Sequence, residues 1–543
     1  MPSARRPPRR EKRKRGDLMS AEERWWAAVG GSVAAVLNAL WENPGKIVFH
    51  YRDARISGLE HIRSVAGLYD ALKNAGAGPG GVVAVLTAPN SPDMIAVRHA
   101  AFLLGAAVCY LRSTNPGSNA VMQSVADQTA ILRETGAAVL YTDRDSATRA
   151  TELARHTRIA VVGTDIPGAI APAPADRPDS GDPAPVAAED LAIIWFTSGS
   201  TGRPKGIRKS RWSWDAWVDS TIGLGPEAEN VVSLVSTSLE QTAGPMADGT
   251  LIVGGTLVLM EDFDTEQWAR AVAEHQVTRG FIATTHLYRL LDHLRGLGYE
   301  DAAAAGWTSL RRLVYSGSAA APARIAEALR VIGPVLSQAY GTSEGGPATL
   351  LTPDEQRDPH LVVTVGRPLP GVELDIRDPE TGEALPADRI GEVWTGSRHN
   401  MDGYLDADLT AAVLRDGWCR TGDIGYLDAQ GYLHLLDRVA DVVKINGAKI
   451  YPAVVEREIL TVPGIAEAVV YGVRDAEGTD HLHAAIAPVA GVTVNIDDIR
   501  ARVGEKFSPA HAPEHVLIVD RIPLNAGGKP DRTRLRAQRT HPG

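Results

Sequence analysis

The sequence predicts a layered α/β protein with a smaller α+β domain at its C-terminus. Helical and apolar, strand-like segments alternate from about Ser20 to Ala160 and again from Leu191 to about Val363, a pattern typical of largely parallel sheets covered by helices. Between these stretches, residues 164–189 contain six prolines, too many for regular structure, so we expect a surface connector there. The last ~100 residues follow the order β-β-α-β-β-α-β, enough for a separate small domain.

Individual segments support this division. Ala66–Ala75 has helical character, whereas Gly81–Leu86 is a short apolar run of the kind that forms a buried strand. Val372–Ile376 and Gly391–Thr395, with turn residues nearby, predict a small antiparallel sheet. In the terminal part, Ala468–Val473 is expected to be extended.

With 543 residues the chain is too long for one compact domain, since a domain typically holds ~100–200 residues. We expect a leader at residues 1–19, a large domain at 20–437 and a small mobile lid domain at 438–543. The formal charge is −10, yet residues 1–15 hold eight Arg or Lys and one Glu. Such a leader cannot bury apolar surface, so we predict disorder and assign it neither a function nor a nucleic-acid partner.

The composition excludes several classes of protein. Hydrophobic residues at 44% and charged residues at 22% are ordinary for a globular protein, so neither a fibrous nor a wholly disordered chain is indicated. Cys109 and Cys419 are the only cysteines and lie in apolar stretches, which favours buried free thiols in a reducing cytoplasm over a disulfide or a metal cluster. No apolar run approaches the ~18 residues of a membrane span; the longest sheet-like run, Leu251–Met260, is interrupted by two glycines.

A polar, glycine-rich loop directly follows the apolar strand Leu191–Phe196. Residues Thr197–Gly206 read TSGSTGRPKG. Glycines let backbone amides turn inward, the hydroxyls supply donors and Lys205 adds a cation, which together favour a polyphosphate ligand. The spacing fits neither G-x-x-x-x-G-K-[ST] nor G-x-G-x-x-G, so P-loop and Rossmann enzymes are disfavoured.

This loop resembles the signature loop of the adenylate-forming superfamily, which includes acyl- and aryl-CoA ligases, adenylation domains of nonribosomal peptide synthetases and the luciferases. Gln338–Glu344 (QAYGTSE) matches the family's Q-x-Y-G-x-[ST]-E in full. Thr421–Asp423 resembles the ribose-binding segment, Lys444–Gly447 the early lid motif, and Pro523–Lys529 the terminal catalytic loop. The five motifs are collinear and span roughly Ser20 to Arg532.

The resemblance implies a fold, a nucleotide site and a metal. The fold is a large multilayered N-terminal domain with a mobile lid, and the substrates include ATP with Mg²⁺ held by Glu344. Tyr340 is expected to stack on adenine, Thr342 to bind the α-phosphate, and Asp423 with Arg438 to bind the ribose. The other implied nucleotide-binding residues are Thr197, Ser198, Gly199, Ser200, Thr201, Gly202, Lys205, Gly317, Ser318, Ala319 and Gly341.

The implied reaction begins when an oxygen of the acid attacks the α-phosphorus of ATP and pyrophosphate leaves. Catalysis of this kind is mostly positioning and charge stabilisation, with Lys529, Glu344 and Thr342 as the expected catalytic residues. The lid then rotates, Lys529 withdraws, and a face that includes Gly447 and Lys449 opens a path for a thiol of CoA or of a carrier-protein pantetheine, which displaces AMP.

Two departures from the family pattern bear on the acceptor and the acid. The hinge G-R-x-[KD]-[DE] appears here as Asp437–Asp441 (DRVAD), which weakens the expectation of lid rotation more than that of adenylation. Where many acyl-CoA ligases carry P-x-x-H, this chain has Glu240 and Gln241. An acidic or amide group there suits a polar substrate, although a solvated loop carboxylate is the alternative.

The acid pocket is assigned by resemblance to segments of mixed residue size, which suggests a compact aromatic or medium-chain acid. These residues are Glu240, Gln241, His286, Tyr315, Ser316, Gly317, Ser318, Gly346 and Ala348.

Three functions remain open from the sequence. The first is an acid–thiol ligase, supported by Gly447, Lys449 and the complete lid. The second keeps adenylation but uses another acceptor: an amine, an oxygen, or nitrite activation for arylamine diazotisation in secondary metabolism. The third, a non-catalytic nucleotide-binding protein, is disfavoured by the intact Lys529 and Glu344.

Overall fold

The computed structural model describes residues 24–111, 123–197, 204–222, 230–299, 301–318, 320–445, 448–475, 477–489, 491–524 and 530–538. The helices of the larger, N-terminal part are α1 (Gly31–Glu42), α2 (Gly58–Asn74), α3 (Pro92–Leu103), α4 (Val125–Thr135), α5 (Ala147–Thr157), α6 (Arg211–Ile222), α7 (Ala243–Ile252), α8 (Thr265–Glu274), α9 (Thr284–Gly296), α10 (Pro322–Val331) and α11 (Ala407–Val413). Those of the C-terminal part are α12 (Pro452–Ile459), α13 (Ile496–Lys506) and α14 (Arg532–Gln538).

The strands are β1 (Ile47–Tyr51), β2 (Ala54–Ser57), β3 (Val82–Leu86), β4 (Ala107–Tyr110), β5 (Val139–Thr142), β6 (Ala160–Val162), β7 (Leu191–Thr197), β8 (Lys205–Ser210), β9 (Val232–Val235), β10 (Thr256–Leu259), β11 (Arg279–Ala283), β12 (Arg312–Ser316), β13 (Leu336–Thr342) and β14 (Gly346–Leu351). They continue with β15 (Arg367–Pro368), β16 (Val372–Arg377), β17 (Gly391–Ser397), β18 (Gly403–Tyr404), β19 (Leu414–Arg415), β20 (Trp418–Leu427), β21 (Leu433–Arg438), β22 (Val443–Ile445), β23 (Ala448–Ile450), β24 (Ile465–Arg474), β25 (Asp480–Pro488) and β26 (His515–Ile518).

Two large sheets and one smaller antiparallel sheet build the N-terminal domain. Their strand orders are β15-β14-β13-β12-β11-β9-β10-β1-β2, then β18-β8-β7-β4-β3-β5-β6, and β16-β17-β20-β19 with β21 beside β20. The inner strands of both large sheets run parallel. Within each sheet, the carboxyl ends of these strands therefore meet at one edge, which is where ligands bind in open α/β sheets. Side chains after β9, β11, β12 and β13 are therefore brought to a common edge.

Local sequence explains why these elements form where they do. All five residues of β3 (VVAVL) are buried, as expected for a strand covered on both faces. Ser57 precedes α2 and caps it with a capping box, in which the Ser57 hydroxyl accepts from the Glu60 amide and the Glu60 carboxylate accepts from the Ser57 amide. The predicted connector at 164–189 contains no regular element apart from one isolated bridge at Ile170.

The hydrophobic core is divided between the layers. The largest cluster packs α1, α2, α3, α6 and α7 between the two large sheets and includes Trp25, Phe49 and Trp214. A second cluster, with Trp268 and Tyr315, lies under α8, α9 and α10. The C-terminal part has its own core around Val455 and Val470, so it forms a separate small domain.

An apolar contact joins the lid to the large domain. Leu460 packs against the core of the lid and also against the second core of the large domain. β21 ends at Arg438, the position from which the sequence predicts the lid to begin.

The predicted fold class is confirmed, including the β-β-α-β-β-α-β order of the lid, to which α14 is added. Cys109 and Cys419 are buried free thiols. The sheet-like interpretation of Leu251–Met260 is wrong for its first half: α7 runs to Ile252, and only Thr256–Leu259 is a strand. No helix in the described ranges is long and apolar enough to cross a membrane.

Candidate active site

β7 and β8, the strands on either side of the predicted phosphate loop, form an antiparallel pair that we call the phosphate hairpin. Thr197 lies opposite Lys205 at the end of the pair nearest the loop. Ser198, Gly199, Ser200, Thr201 and Gly202 lie outside the described residues. Because both strands belong to one sheet, Thr197 and Lys205 are held next to each other.

Glu344 lies at the tip of a second hairpin. β13 and β14 pair with Thr342 opposite Gly346, and the Thr342 hydroxyl accepts the Gly345 amide at 2.9 Å. Gly346 has φ +73°, and a side chain there would collide with His399. The tight turn thus depends on glycine.

A tyrosine links the two hairpins. The Tyr404 hydroxyl donates to Oε1 of Glu344 at 2.7 Å, while Nζ of Lys205 lies 5.6 Å from the centroid of the Tyr404 ring. Burial and the neighbouring Glu344 carboxylate raise the pKa of Tyr404, so it stays a donor. One carboxylate oxygen of Glu344 is thereby oriented by Tyr404.

A fully buried lysine lies behind the Glu344 turn. Lys209, on β8, donates through Nζ to the carbonyl of His399 at 2.5 Å and of Glu344 at 3.4 Å. The same carbonyl of Glu344 accepts the Met401 amide at 2.7 Å. Burial lowers the pKa of Lys209 to about 8. No sequence motif indicates Lys209, which lies after Lys205 on the same strand.

The predicted adenine and ribose residues form one connected group. The Tyr340 hydroxyl donates to Oδ2 of Asp423 at 2.7 Å, and Arg438 Nε lies 3.1 Å from Oδ1 of Asp423. Asp423 and Arg438 are opposite one another on β20 and β21. The aspartate is largely buried while Arg438 is half-exposed, so the group opens toward solvent on one side.

The loop after β12 is held by the start of α9. The Thr284 hydroxyl donates to the carbonyls of Ser316 at 3.2 Å and Ser318 at 3.0 Å, and Gly317 between them has φ +104°. Ala319 lies outside the described residues. The first residue of α9 is therefore bonded to both sides of Gly317.

Asn90 shapes the loop that carries Glu240 and Gln241. Its amide nitrogen donates to the carbonyls of Thr237 at 3.1 Å and Met260 at 2.8 Å, and its oxygen accepts the Leu239 amide at 3.0 Å. Glu240 is buried rather than solvated, which overturns the alternative of a solvated carboxylate. The role of Asn90 was missed because its partners are backbone atoms distant in sequence.

Several buried polar atoms around the predicted acid pocket have no hydrogen-bond partner in the described part of the chain. They are Ser236 Oγ, Thr237 Oγ1, Thr285 Oγ1 and both ring nitrogens of His286. The His286 ring stacks on Phe263 with centroids 4.0 Å apart, and burial lowers its pKa to about 3, so it is neutral. Buried polar atoms without a partner are costly, and either a ligand group or an ordered water would complete them.

A small apolar cavity of about 20 Å³ lies between α7 and the sheet and is lined by Thr237, Ala243, Met246, Phe281 and their neighbours. Tyr315 does not contribute a free group, because its buried hydroxyl is shared with Gln338 and Gln356.

The catalytic loop predicted in the lid is closed at its base. Leu524 bridges to Pro530, and the Asp531 amide donates to the carbonyl of Pro523 at 2.8 Å. Arg532, just beyond, pairs with Glu456 and Asp441. Lys529 itself lies outside the described residues, as does Gly447.

The altered hinge has a structural role that sequence reasoning missed. Asp437 Oδ2 accepts the Ala453 amide at 2.7 Å, in the first turn of α12, and Oδ1 accepts the amide of Arg438 at 2.7 Å. Burial raises the pKa of Asp437 to about 6. A carboxylate at a helix N-terminus ties the end of β21 to the lid.

Comparison with known families identifies the family of the chain. A family model described as AMP-binding enzyme matches residues 38–405, and one for the AMP-binding enzyme C-terminal domain matches residues 454–529. The chain belongs to the AMP-binding enzymes. The predicted superfamily and an ATP-dependent, adenylate-forming acid ligase are thereby confirmed.

This AMP-binding enzyme is similar along most of its length to several characterised relatives. It is 30% identical to a feruloyl-CoA synthase of an Amycolatopsis species, covering 87% of this chain and 91% of that protein. It is 26% identical to a medium/long-chain fatty acid–CoA ligase of Mycobacterium tuberculosis, covering 93% and 89%. The solved amide bond synthetase McbA of Marinactinospora thermotolerans superposes with a TM-score of 0.84 at 31% identity, covering 93% and 99%.

Proposed function

We propose that the protein adenylates a compact carboxylic acid and transfers the acyl group to the thiol of CoA. The observation that carries the proposal is the connected arrangement of the Glu344 turn, the phosphate hairpin and the Tyr340–Asp423–Arg438 group. Feruloyl-CoA synthase and the fatty acid–CoA ligase, as similar proteins, support CoA as the acceptor.

ATP would lie across the edge of the two large sheets. Tyr340 would offer its ring to the adenine, and Asp423, already held by Tyr340 and Arg438, would accept the two ribose hydroxyls. Thr197, Lys205 and residues 198–202 would hold the β- and γ-phosphates, with Thr342 at the α-phosphate. Gly317, Ser318, Ala319 and Gly341 would complete the nucleotide site.

Glu344 fits a magnesium ion shared with ATP. Its side chain is at a hairpin tip, with Oε1 oriented by Tyr404, and the described residues contain no group of three or more His, Cys, Asp or Glu that could hold an ion alone. A single carboxylate suits Mg²⁺, which takes its other ligands from phosphate oxygens and water. When bound, Mg²⁺ would supply neutralisation of phosphate charge.

The first half-reaction would be an in-line displacement. A carboxylate oxygen of the acid forms a bond to the α-phosphorus while the bond to the pyrophosphate oxygen breaks, and charge develops on the phosphate oxygens. Lys529 would bridge the acid and the α-phosphate from the lid, and Lys205 would stabilise the leaving group. The protein needs to supply no nucleophile.

In the second half-reaction the thiolate of CoA would attack the acyl carbon and the bond from that carbon to the bridging oxygen would break. AMP would leave with this oxygen, which came from the acid. The lid would turn to withdraw Lys529 and present Gly447 and Lys449, a motion that gates turnover in enzymes of this kind. Asp437 would restrain this motion through the Ala453 amide.

The unpartnered atoms near the pocket favour an acid that carries a hydrogen-bonding substituent. An aromatic hydroxyl or amino group could form hydrogen bonds with these side chains, which are the hydroxyls of Ser236, Thr237 and Thr285 and the neutral ring of His286. A buried polar site rejects an analogue that lacks the matching group far more strongly than an apolar site does. We therefore infer a hydroxy- or amino-substituted aromatic acid over a plain fatty acid.

Amide formation is the second candidate. McbA, an amide bond synthetase, is similar over almost the whole chain, and the hinge here departs from the family pattern at Asp437. In that case an amine would attack the acyl-adenylate in place of the thiol. Glu240, which is buried, would then lie near the acceptor.

The decisive experiment measures pyrophosphate release over a panel of substituted aromatic acids, fatty acids and nitrite with arylamines. Each is tested with CoA, with a carrier-protein pantetheine and with amines. Acid-dependent release that turns over only with CoA supports the proposal. Turnover that needs an amine selects the amide synthetase, and release that no acid supports contradicts both.

A further inference from the structure

We propose that Lys209 is a positioning residue that fixes the Glu344 turn against the phosphate hairpin, so that Glu344 meets the metal of Mg·ATP in one orientation. The inference rests on the proposed function and extends it to a residue outside the family's motifs. The position of Lys209 on β8, four residues after Lys205 in the same strand, makes this coupling direct.

Lys209 joins three separate parts of the chain. It belongs to β8, and its Nζ donates to the carbonyls of His399 and Glu344. The segment around His399 is bound to β8 a second time, since the Asp402 amide donates to the Arg208 carbonyl at 2.9 Å. The ammonium group therefore closes a link between the two hairpins that carry Lys205 and Glu344.

The surroundings of Lys209 give no sign that its charge contributes to folding stability through a close ion pair. The side chain is wholly buried, and no carboxylate of the described residues lies within 4.0 Å of Nζ, unlike the paired Arg98, which contacts Asp248 at 2.5 Å. Its charge is compensated by the two carbonyls, by two indoles, with Nζ 5.5 Å from the Trp195 ring and 5.1 Å from the Trp217 ring, and by the more distant carboxylates of Glu344 and Asp402.

Burying a cation in this way is expensive, and an apolar side chain of equal volume would often be neutral or stabilising. A methionine would fit between the tryptophans but could not hold the carbonyl of Glu344. We therefore explain Lys209 by its hydrogen bond to the Glu344 turn rather than by a contribution to folding stability.

The side chain and the main chain of Glu344 are then held from opposite sides. Tyr404 orients Oε1, while Lys209 and the Met401 amide hold the carbonyl of the same residue. Partners that orient a metal ligand typically contribute 10–100-fold to metal affinity or activity. We expect Lys209 to act at this level without touching ATP.

The test compares Lys209→Met with wild type by calorimetric titration of Mg·ATP in the absence of any acid or thiol. We expect the Kd of Mg·ATP to rise about 10–100-fold, while binding of ATP in EDTA changes far less. Lys46→Met is the matched control, because Lys46 also donates to a carbonyl, that of Gly254 at 2.5 Å, away from the site; its Kd should equal that of wild type.

Steady-state kinetics give the second readout. In Lys209→Met the KM for ATP should rise and the KM for the acid should stay unchanged, with the melting temperature close to that of wild type. Lys209→Arg, which retains the charge and the donors, should recover most of the affinity for Mg·ATP. If Lys209→Met does not fold, Lys209→Gln decides by the same titration.

Wild-type affinity for Mg·ATP in Lys209→Met or Lys209→Gln would overturn the inference. So would an equal loss of ATP and acid affinity together with a large fall in melting temperature, since that pattern indicates a general structural role. The titration needs no acid, so a failure to find any acid substrate would refute the proposed function and leave this test standing.

Discussion

The phenol of Tyr340 and the carboxylate of Asp423 are joined by a hydrogen bond of 2.7 Å between residues 83 positions apart. The bond connects the QAYGTSE strand with the segment that is proposed to bind ribose. Two binding elements that are held together lose less entropy when a ligand binds.

Tyr340→Phe should weaken ATP binding while leaving the acid site unchanged. The ring remains for stacking, but Asp423 loses a partner in a largely buried place, which costs about 1–1.5 kcal/mol and raises the KM for ATP about tenfold. Pyrophosphate release at varied ATP checks this. Tyr432→Phe, which removes a similar bond to Glu355 of 2.8 Å, is the control; equal effects in both variants would contradict the role of Tyr340.

Asn90→Gly should loosen the loop that carries Glu240. Asn90 has φ +53°, a conformation that glycine adopts freely, so the substitution removes three hydrogen bonds without backbone strain. We expect the KM for the acid to rise about tenfold, since unmade buried hydrogen bonds cost roughly 1–3 kcal/mol, with the KM for ATP unchanged.

Asn230→Gly provides the comparison for Asn90→Gly. Asn230 is exposed and has φ +63°, so it tests the backbone effect alone. An acid KM that stays at the wild-type value in Asn90→Gly would show that this loop does not shape the acid pocket.

Met246→Phe should narrow the apolar cavity beneath α7 and shift the acid preference toward smaller substituents. Extra volume in a packed site typically costs about 1–3 kcal/mol. We expect this cost to lower kcat/KM for larger acids. Met246→Leu, of similar volume, should keep the wild-type ranking. The ratio of kcat/KM for a large and a small acid is the measurement, and an unchanged ratio in Met246→Phe would place the acid elsewhere.

Asp437 predicts a pH dependence of stability with a definite sign. Its pKa is raised in the folded protein to about 6, above the unfolded value of ~3.9, so the folded state binds more protons between these values. Stability from this group therefore decreases as pH rises from about 4 to 6, and above pH 6 the ionised form opposes folding by about 3 kcal/mol.

Asp437→Asn should remove this dependence, because an amide side chain does not titrate. The amide oxygen can still accept the hydrogen bond from the Ala453 amide. Thermal unfolding of both proteins should show the variant gaining stability relative to wild type as pH rises from 4 to 7. A difference between the two melting temperatures that is constant with pH would refute the shifted pKa.

Much of the fold follows from sequence because alternation of strands and helices is a local pattern. β3, β7 and β16 lie where the runs Gly81–Leu86, Leu191–Phe196 and Val372–Ile376 predict them. Leu251–Met260 misled because α7 ends in apolar residues that continue, through two glycines, into β10. Periodicity cannot separate a short buried helix end from a strand.

The site is less predictable than the fold, for a physical reason. Motifs located Glu344, Asp423 and Arg438, but Lys209 and Asn90 act through backbone carbonyls 190 and 147 positions away. Backbone atoms carry no residue identity, so a single sequence gives no signal for such contacts. Only the folded arrangement reveals them.

The central claim is that a carboxylate oxygen attacks the α-phosphorus of ATP, and oxygen transfer tests it most directly. The enzyme is supplied with ATP, CoA and an aromatic acid whose carboxylate is labelled with ¹⁸O, and the AMP is analysed by mass spectrometry. The account predicts one ¹⁸O atom in each AMP formed. AMP that carries no label, although acid and CoA are consumed, would contradict acyl-adenylate formation.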